Sequence, residues 1–511
     1  MNFSYFTKRP VKVISVGLFS FLLIYMLLNV LPFVKGRTIE TYGPSQAVTK
    51  ASLDLNTYNL DVDFNPDNRE LSCTQILAYT NKSGDALDRL FFHIYPNAFK
   101  YEEKTPFFRE DFKMAYPEGF DPGSIDIISI QEANNALDYR IRGYSEEVLE
   151  VFLAEDVKPD ESLDLEIKFK VYLPNCLGRF GYGENTFNIT NWYPILAVYE
   201  EGGFVTYPYF PIGDPFYSEV SNYRLKVTAP KGYQMACTGQ IKSFTEKDNK
   251  NIWDVEAFAV RDFALVFSDA FKVSKRRAGR TMVYSYYFNE DEGKKALKYA
   301  KDAIDIFNKR FGRYPYESFS VVEANFFIGG MEYPNLVLID SSLYREDSLE
   351  HLELVTVHET AHQWWYGLVG NNQIEEAWLD ESLTEYSTLL YYKSKHGTKK
   401  MEKMSESILG EGKYKGLNIY TKGETIDETI HRPVHRFSDW ITYDLLVYGK
   451  GAMMFQALEG DMGGAQIQRV LKRYLADNMF QIATFEDLLD ASLAETGKDY
   501  REFFEIWLYD R

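Results

Sequence analysis

The sequence predicts an α+β fold: a β-rich N-terminal part, a mainly helical C-terminal part, and one apolar run of helix length ahead of both. Three observations predict it. Residues 51–273 break into short stretches of alternating apolar and polar residues, separated by Gly, Pro and Asp/Asn clusters. That is the pattern of an antiparallel β domain of sandwich or saddle type. Residues 274–511 change character, with helical periodicity beginning at 290–311. Residues 13–34 hold no formal charge over a length able to span a bilayer.

At 511 residues the chain has room for two or three domains. Its formal charge of −19 argues against nucleic acid as a partner and fits cationic or neutral substrates, although acidity also serves solubility alone. Cys73, Cys176 and Cys237 are too scattered for a disulfide framework or a C-x-x-C metal site, and read as core thiols.

Taken in order, residues 1–12 form a short segment with Lys8, Arg9 and Lys12, and residues 13–34 form a transmembrane anchor. The apolar part of a cleaved signal peptide usually covers about 7–15 residues and ends in small residues. This run is longer and ends in Leu31-Pro32-Phe33-Val34, which favours an uncleaved anchor over a cleaved signal. The basic N-terminal segment puts the N-terminus in the cytoplasm, so the expected location is the cell membrane, single-pass, with the bulk of the protein extracytoplasmic. Residues 35–50 are a linker. Within 51–273, residues 58–64 alternate strictly and turn at 65–68; further strands are expected at 90–95, 148–153, 163–173, 223–229 and 257–267. Within 274–511, strands at 281–288 and 319–324 flank the amphipathic helix, and the chain from 398 onward reads mainly helical.

The chemistry is concentrated in residues 355–392. His358-Glu359-Thr360-Ala361-His362 is an H-E-x-x-H pattern. On a helix its two histidines share a face and can close on one metal ion. Leu352, Val355 and Val357 before it, and Trp364, Trp365, Tyr366 and Leu368 after it, describe a buried helix ended by Gly367 and Gly370. A second helix is expected from about 374 to 394, and on it Glu381 follows His362 by 19 residues. Two histidines and a glutamate leave a fourth position open for water, the donor set of a catalytic zinc, one Zn(2+) per chain. Glu359 is then the general base for that water. Glu385, one turn beyond Glu381, is either the partner that orients a ligand histidine or a solvated helix charge.

Two further stretches matter. In Ile328-Gly329-Gly330-Met331-Glu332-Tyr333, paired glycines let the backbone approach a ligand and Glu332 supplies an anion; a turn with an exposed Glu accounts for it equally. Tyr448-Gly449-Lys450-Gly451-Ala452 opens a helix, and a tyrosine hydroxyl there is able to donate to a developing oxyanion.

The order GGMEY, HETAH, WLDES, YGKGA resembles the zinc aminopeptidases of the aminopeptidase N type, the H-E-x-x-H-x18-E group that includes leukotriene hydrolase. The resemblance covers roughly residues 50–511, and Tyr209-Phe210-Pro211-Ile212-Gly213-Asp214-Pro215 sits where the family has a P-x-F-D-E-P-like segment. It implies a β-saddle domain followed by a thermolysin-like catalytic domain, with zinc on His358, His362 and Glu381 and the base at Glu359. It further implies that Glu332, in a motif with Gly329, Gly330 and Met331, binds the free α-amino group of a peptide, and that Tyr448 stabilises the oxyanion. Three departures stand out. Tyr333 replaces the family's Asn, Asn191 is the stand-in for its Gln, and the large helical C-terminal domain of many relatives has no counterpart before Arg511. The cleft of such a short form is expected to be more open. The function expected is that of a membrane-anchored zinc metallopeptidase, most simply an aminopeptidase acting on peptides with free N-termini. A zinc endopeptidase or other hydrolase with the same site is the alternative, and a silent receptor or scaffold is disfavoured by the intact catalytic set.

Overall fold

The computed structural model describes residues 45–424 and 426–509. The expected cytoplasmic segment, the anchor at 13–34 and most of the linker lie outside the described residues. Among the described residues no helix is long and apolar enough to cross a membrane.

The β-rich part is built on a sheet of eight strands in the order Gln240–Lys247, Lys250–Val260, Ser221–Pro230, Thr57–Asn65, Glu70–Thr80, Ser162–Tyr172, Ser124–Glu132, Asn135–Ala136. The alternation read from the sequence sets its two faces. Tyr58, Leu60, Val62 and Phe64 point into the core while Asp61, Asp63 and Asn65 face solvent. Two four-stranded sheets pack on the buried face. Phe64 meets Phe267 of one at 4.6 Å between ring centroids, and Tyr58 accepts the Leu196 N–H of the other at 3.0 Å. All three cysteines are buried and free, as core thiols are.

Two expectations for this part are corrected. Thr57–Asn65 and Ser221–Pro230 run parallel, so the large sheet is not purely antiparallel. Alternation reports which face a side chain takes and is silent on the direction of the neighbouring strand. The expected strand at 257–267 is two strands, Lys250–Val260 and Leu265–Ser268, in different sheets. The chain changes sheet at Arg261-Asp262, where Asp262 accepts the Phe263 N–H at 2.6 Å.

The second part starts with a five-stranded sheet in the order Lys272–Ala278, Thr281–Tyr287, Ser318–Ala324, Leu336–Asp340, Gly330–Met331. Its short edge strand runs antiparallel, with Met331 opposite Leu338. We number the helices of eight residues or more. They are α1 (Glu290–Arg310), α2 (Leu349–Ala361), α3 (Trp378–His396), α4 (Thr398–Ser407), α5 (Gly410–Tyr420), α6 (Gly451–Met462), α7 (Gly464–Asn478), α8 (Phe485–Thr496) and α9 (Arg501–Leu508). Helix α1 buries Ala296, Leu297, Ala300, Ala303, Ile304 and Phe307, the stripe its 3–4 spacing predicts. Its first turn is acidic and its last turn basic, complementing the helix dipole.

Helix α2 ends at Ala361, several residues before the glycines expected to end it. A local hydrogen-bond circuit stops it: His362 Nδ1 pairs with the Trp365 carbonyl at 3.0 Å, and Gly367 N–H donates to the His362 carbonyl at 2.9 Å. Helix α3 begins at Trp378 rather than near 374, because Asn372 Oδ1 takes the Ile374 and Glu375 N–H groups in a turn. Before α6, residues Asp444–Lys450 wind as a π-helix, a form with no signature in side-chain periodicity.

Candidate metal centre and active site

Helices α2 and α3 pack against each other and bring their acidic and imidazole side chains to one point. His358 Nε2 and His362 Nε2 lie 3.2 Å apart, and Glu381 Oε2 is 3.4 Å from the first and 3.1 Å from the second. The other ring nitrogens are already committed. His358 Nδ1 faces Glu385 Oε2 at 3.1 Å, and His362 Nδ1 faces the Trp365 carbonyl at 3.0 Å. Those acceptors assign the protons to Nδ1, so both Nε2 atoms present lone pairs toward each other and toward a carboxylate. Three lone-pair donors so close repel unless a cation lies among them. Zinc bonds of about 2.0–2.1 Å give tetrahedral edges of about 3.3 Å, which is the spacing found. The residues present therefore fit one zinc ion.

Electrostatics favour the same occupant. Burial lowers the proton affinity of His358, but its hydrogen bonds to Glu381 and Glu385 outweigh this and lift its pKa to about 9. Carboxylates on both sides of the His358 ring, Glu385 at Nδ1 and Glu381 at Nε2, make the site attractive to a cation. Glu385 is buried, with 1% of its side chain exposed, which settles the choice between an orienting partner and a solvated charge.

Glu359 stands beside the three donors. Burial raises its pKa to about 8, opposed by the two histidines and supported by Glu332 and Glu381. The backbone of Gly330 lies directly against it: a Cβ there would collide with Glu359 Oε1. Gly329 takes φ of +95°, a conformation suited to glycine. The two glycines thus let the edge strand run past the base and place Glu332 in the site. Glu332 is 3% exposed and accepts from Gln373 Nε2 at 3.1 Å. Glu332, His362 and Asp380 have donor atoms within 4.8 Å of one another, so Glu332 borders the metal position. Met331 is buried, with its sulfur against Arg179 Nε at 3.0 Å.

Tyr448 comes from the π-helix. Its ring stacks on His358 at 5.6 Å, and burial together with Glu381 holds its phenol pKa well above the usual value. It therefore remains a hydrogen-bond donor through the physiological range. The glycines of its motif are contact points. A Cβ at Gly449 would lie 2.8 Å from Tyr414 N of α5, and one at Gly451 would collide with Ser382 of α3. Tyr443 is fully buried behind it, with ring centroids 5.8 Å apart.

The departures noted in the sequence form a network of their own. The Tyr333 hydroxyl donates to Thr190 Oγ1 at 2.7 Å with Asn191 Oδ1 3.2 Å away as a second acceptor, and Asn191 Nδ2 donates to Asp262 at 2.5 Å. Both ends of the Asn191 amide are thus engaged by buried protein groups. Several site residues escaped sequence reasoning. Gln373 bridges Glu332 and Asp380, Gln363 donates to the Tyr333 carbonyl at 3.2 Å, and Arg179 is paired with Asp214 at 2.5 Å. Only Asp214 carried a signal, through its place in 209–215. The others carry no motif of their own: Gln363 follows His362, Gln373 lies between Asn372 and Ile374 in a polar turn, and Arg179 lies in a glycine-containing loop.

Residues 295–507 match the Peptidase family M1 domain. Among curated proteins, the chain is 28% identical over 262 residues to aminopeptidase 2, mitochondrial, of Saccharomyces cerevisiae, covering 49% of this chain and 26% of that protein. It is 29% identical over 224 residues to aminopeptidase N of Lactobacillus helveticus, covering 42% of this chain and 26% of that protein. The matched region thus spans about a quarter of the length of these curated relatives (26% in both). Among solved structures, an M1 zinc metallopeptidase from Deinococcus radiodurans superimposes with a TM-score of 0.60 at 17% identity, over 91% of this chain and 95% of that one. Over most of its length the chain has the fold of an M1 zinc metallopeptidase, with the family's peptidase domain matched at 295–507.

Proposed function

We propose that the protein is a zinc aminopeptidase that removes N-terminal residues from peptides. The observation that carries this reading is the convergence of His358, His362 and Glu381 on one point, with Glu359 and the buried carboxylate of Glu332 beside it. The names of the curated relatives support it, as does the Deinococcus enzyme, a mutant of which was solved with a Tyr-Ser-Ala substrate bound.

His358, His362 and Glu381 would hold zinc, which would supply Lewis acidity for a carbonyl oxygen and a water. The protein's own groups do the rest. Glu359 accepts a proton from the attacking water as its oxygen bonds to the carbonyl carbon. It then passes that proton to the amide nitrogen, so that the C–N bond breaks with a neutral amine leaving. Tyr448 donates its phenol hydrogen to the carbonyl oxygen as negative charge grows there. Glu385 and the Trp365 carbonyl keep the two imidazoles in the tautomer that presents Nε2. Glu332 binds the α-ammonium of the substrate, replacing its lost hydration by a charge-assisted hydrogen bond. Fixing the ammonium next to the metal brings the first peptide bond, and not later ones, into reach.

The test is a panel of peptides offered free and N-acetylated. Stepwise loss from free N-termini is expected, with acetylated peptides poor substrates. Glu332→Ala should lower kcat/KM on free peptides by about 10²-fold, the size of losing one partner of a buried charge pair. Equal cleavage of free and acetylated peptides would replace this reading with an endopeptidase.

We also propose that residues 13–34 anchor the protein in the cell membrane with the catalytic part outside the cytoplasm, on the strength of their uncharged length and the basic residues before them. The full chain should then sediment with membranes and be cleaved by protease added to intact cells. A soluble mature protein starting beyond Lys35 would contradict this.

A further inference from the structure

A half-buried cation near the site, Lys413, has no part in the mechanism above. Lys413 projects from α5, with 19% of its side chain exposed. Its Nζ lies 2.9 Å from Asp444 Oδ1, 3.4 Å from Glu385 Oε1 and 4.9 Å from the centroid of the Tyr448 ring. Lys413 thus touches two groups that themselves contact His358: Glu385, which pairs with its Nδ1, and Tyr448, which stacks on its ring. Glu385 Oε1 takes no hydrogen bond among the described residues, so Lys413 is the countercharge at that oxygen. The approach is built into the fold. Gly449, next to Tyr448, packs on Tyr414 N at a distance that leaves no room for a Cβ, and this lets α5 lie close enough for its lysine to reach the ring.

We propose that Lys413 is a positioning residue for zinc retention and for the oxyanion donor, acting through Glu385 on one side and through Tyr448 on the other. The two effects have separate physical origins. A cation beside Glu385 fixes the position of that carboxylate as acceptor for His358, which sets the ring's orientation and its strength as a metal ligand. A cation over the π-face of Tyr448 holds the ring in place and draws electron density from it, making the phenol a better donor to an oxygen that is gaining charge. The second effect exists only as charge develops, so it belongs to kcat and not to KM.

The proposal rests on the aminopeptidase reading for its kinetic arm but not for its zinc arm. With the full chain, Lys413→Met is expected to release zinc to a chelator about tenfold faster, the low end for losing an outer partner of a metal ligand. It is also expected to lower kcat on a free tripeptide about tenfold at saturating zinc, with KM changed less than about twofold, the effect of a desolvated cation–π contact. Lys413→Arg, which keeps the charge, should recover most of both losses. In a Tyr448→Phe background Lys413→Met should lower kcat by less than about threefold, because the donor through which it acts is gone. If Lys413→Met does not fold, as judged by its thermal unfolding, Lys413→Gln takes its place. Wild-type zinc release, wild-type kcat, an Arg variant as damaged as the Met variant, or full multiplication of the Lys413 and Tyr448 effects would each overturn the proposal. A wild-type protein that binds zinc but cleaves no peptide would instead end the aminopeptidase reading, and zinc release would still judge Lys413.

Discussion

Tyr448 shows what a residue's surroundings add to its type. Its ring lies on His358 and its phenol is kept protonated by burial and by Glu381. Tyr448→Phe removes one hydroxyl and almost no volume, so kcat should fall by about 10²–10³ while KM stays nearly constant, the usual cost of one oxyanion donor. Steady-state kinetics on a single dipeptide checks it. A near-normal kcat would move the role to Tyr443, whose hydroxyl has no hydrogen-bond partner among the described residues. Residues with metal chemistry were legible in the sequence because His358 and His362 stand at helical spacing around Glu359, with Glu381 following at the start of a second helical pattern. Lys413, Gln373 and Arg179 were not, because each owes its role to contacts between distant segments. Nothing in the residues around Lys413 indicates a neighbouring Tyr448 ring.

Segments rather than single residues fix where the catalytic groups sit. The edge strand Gly330–Met331 passes so close to α2 that a methyl group at Gly330 would lie too near Glu359 Oε1 for both to stay. Gly330→Ala should therefore displace the base while leaving the zinc donors in place. We expect zinc content to be unchanged and kcat to fall about tenfold or more, part of the ~10²–10⁴ that a general base contributes. Metal analysis beside kcat measures both, and full activity in that variant would show that the base does not depend on the close approach of that strand. The sequence identified both glycines as a close approach without saying to what. Its helix ends were misplaced at α2 and α3 for a related reason. Glycine spacing suggested ends that side-chain hydrogen bonds, from His362 to the Trp365 carbonyl and from Ile374 and Glu375 to Asn372, fix elsewhere. The π-helix that carries Tyr448 has no sequence signal at all.

On the scale of the molecule, alternation at 58–64 and the helical period at 290–311 were enough to read a β-rich part followed by a helical one. They did not show the parallel pair between Thr57–Asn65 and Ser221–Pro230, because strand direction leaves no trace in a two-residue period. Nor did they show that Arg261, at the corner between two sheets, reaches across to the Tyr366 and Gln481 carbonyls at 3.1 and 3.0 Å. That buried guanidinium joins the β-rich part to the loop following the H-E-x-x-H helix, so the metal motif is held from both parts of the chain. The whole arrangement serves one claim: three donors hold zinc, and a separate carboxylate moves the proton. Glu359→Gln tests it most directly, because it keeps the shape and hydrogen-bonding capacity of the side chain while removing the base. The variant should bind one zinc per chain, as the wild type does, and hydrolyse free peptides about 10²-fold or more slowly. Loss of the metal in Glu359→Gln, or hydrolysis at the wild-type rate with zinc bound, would contradict it.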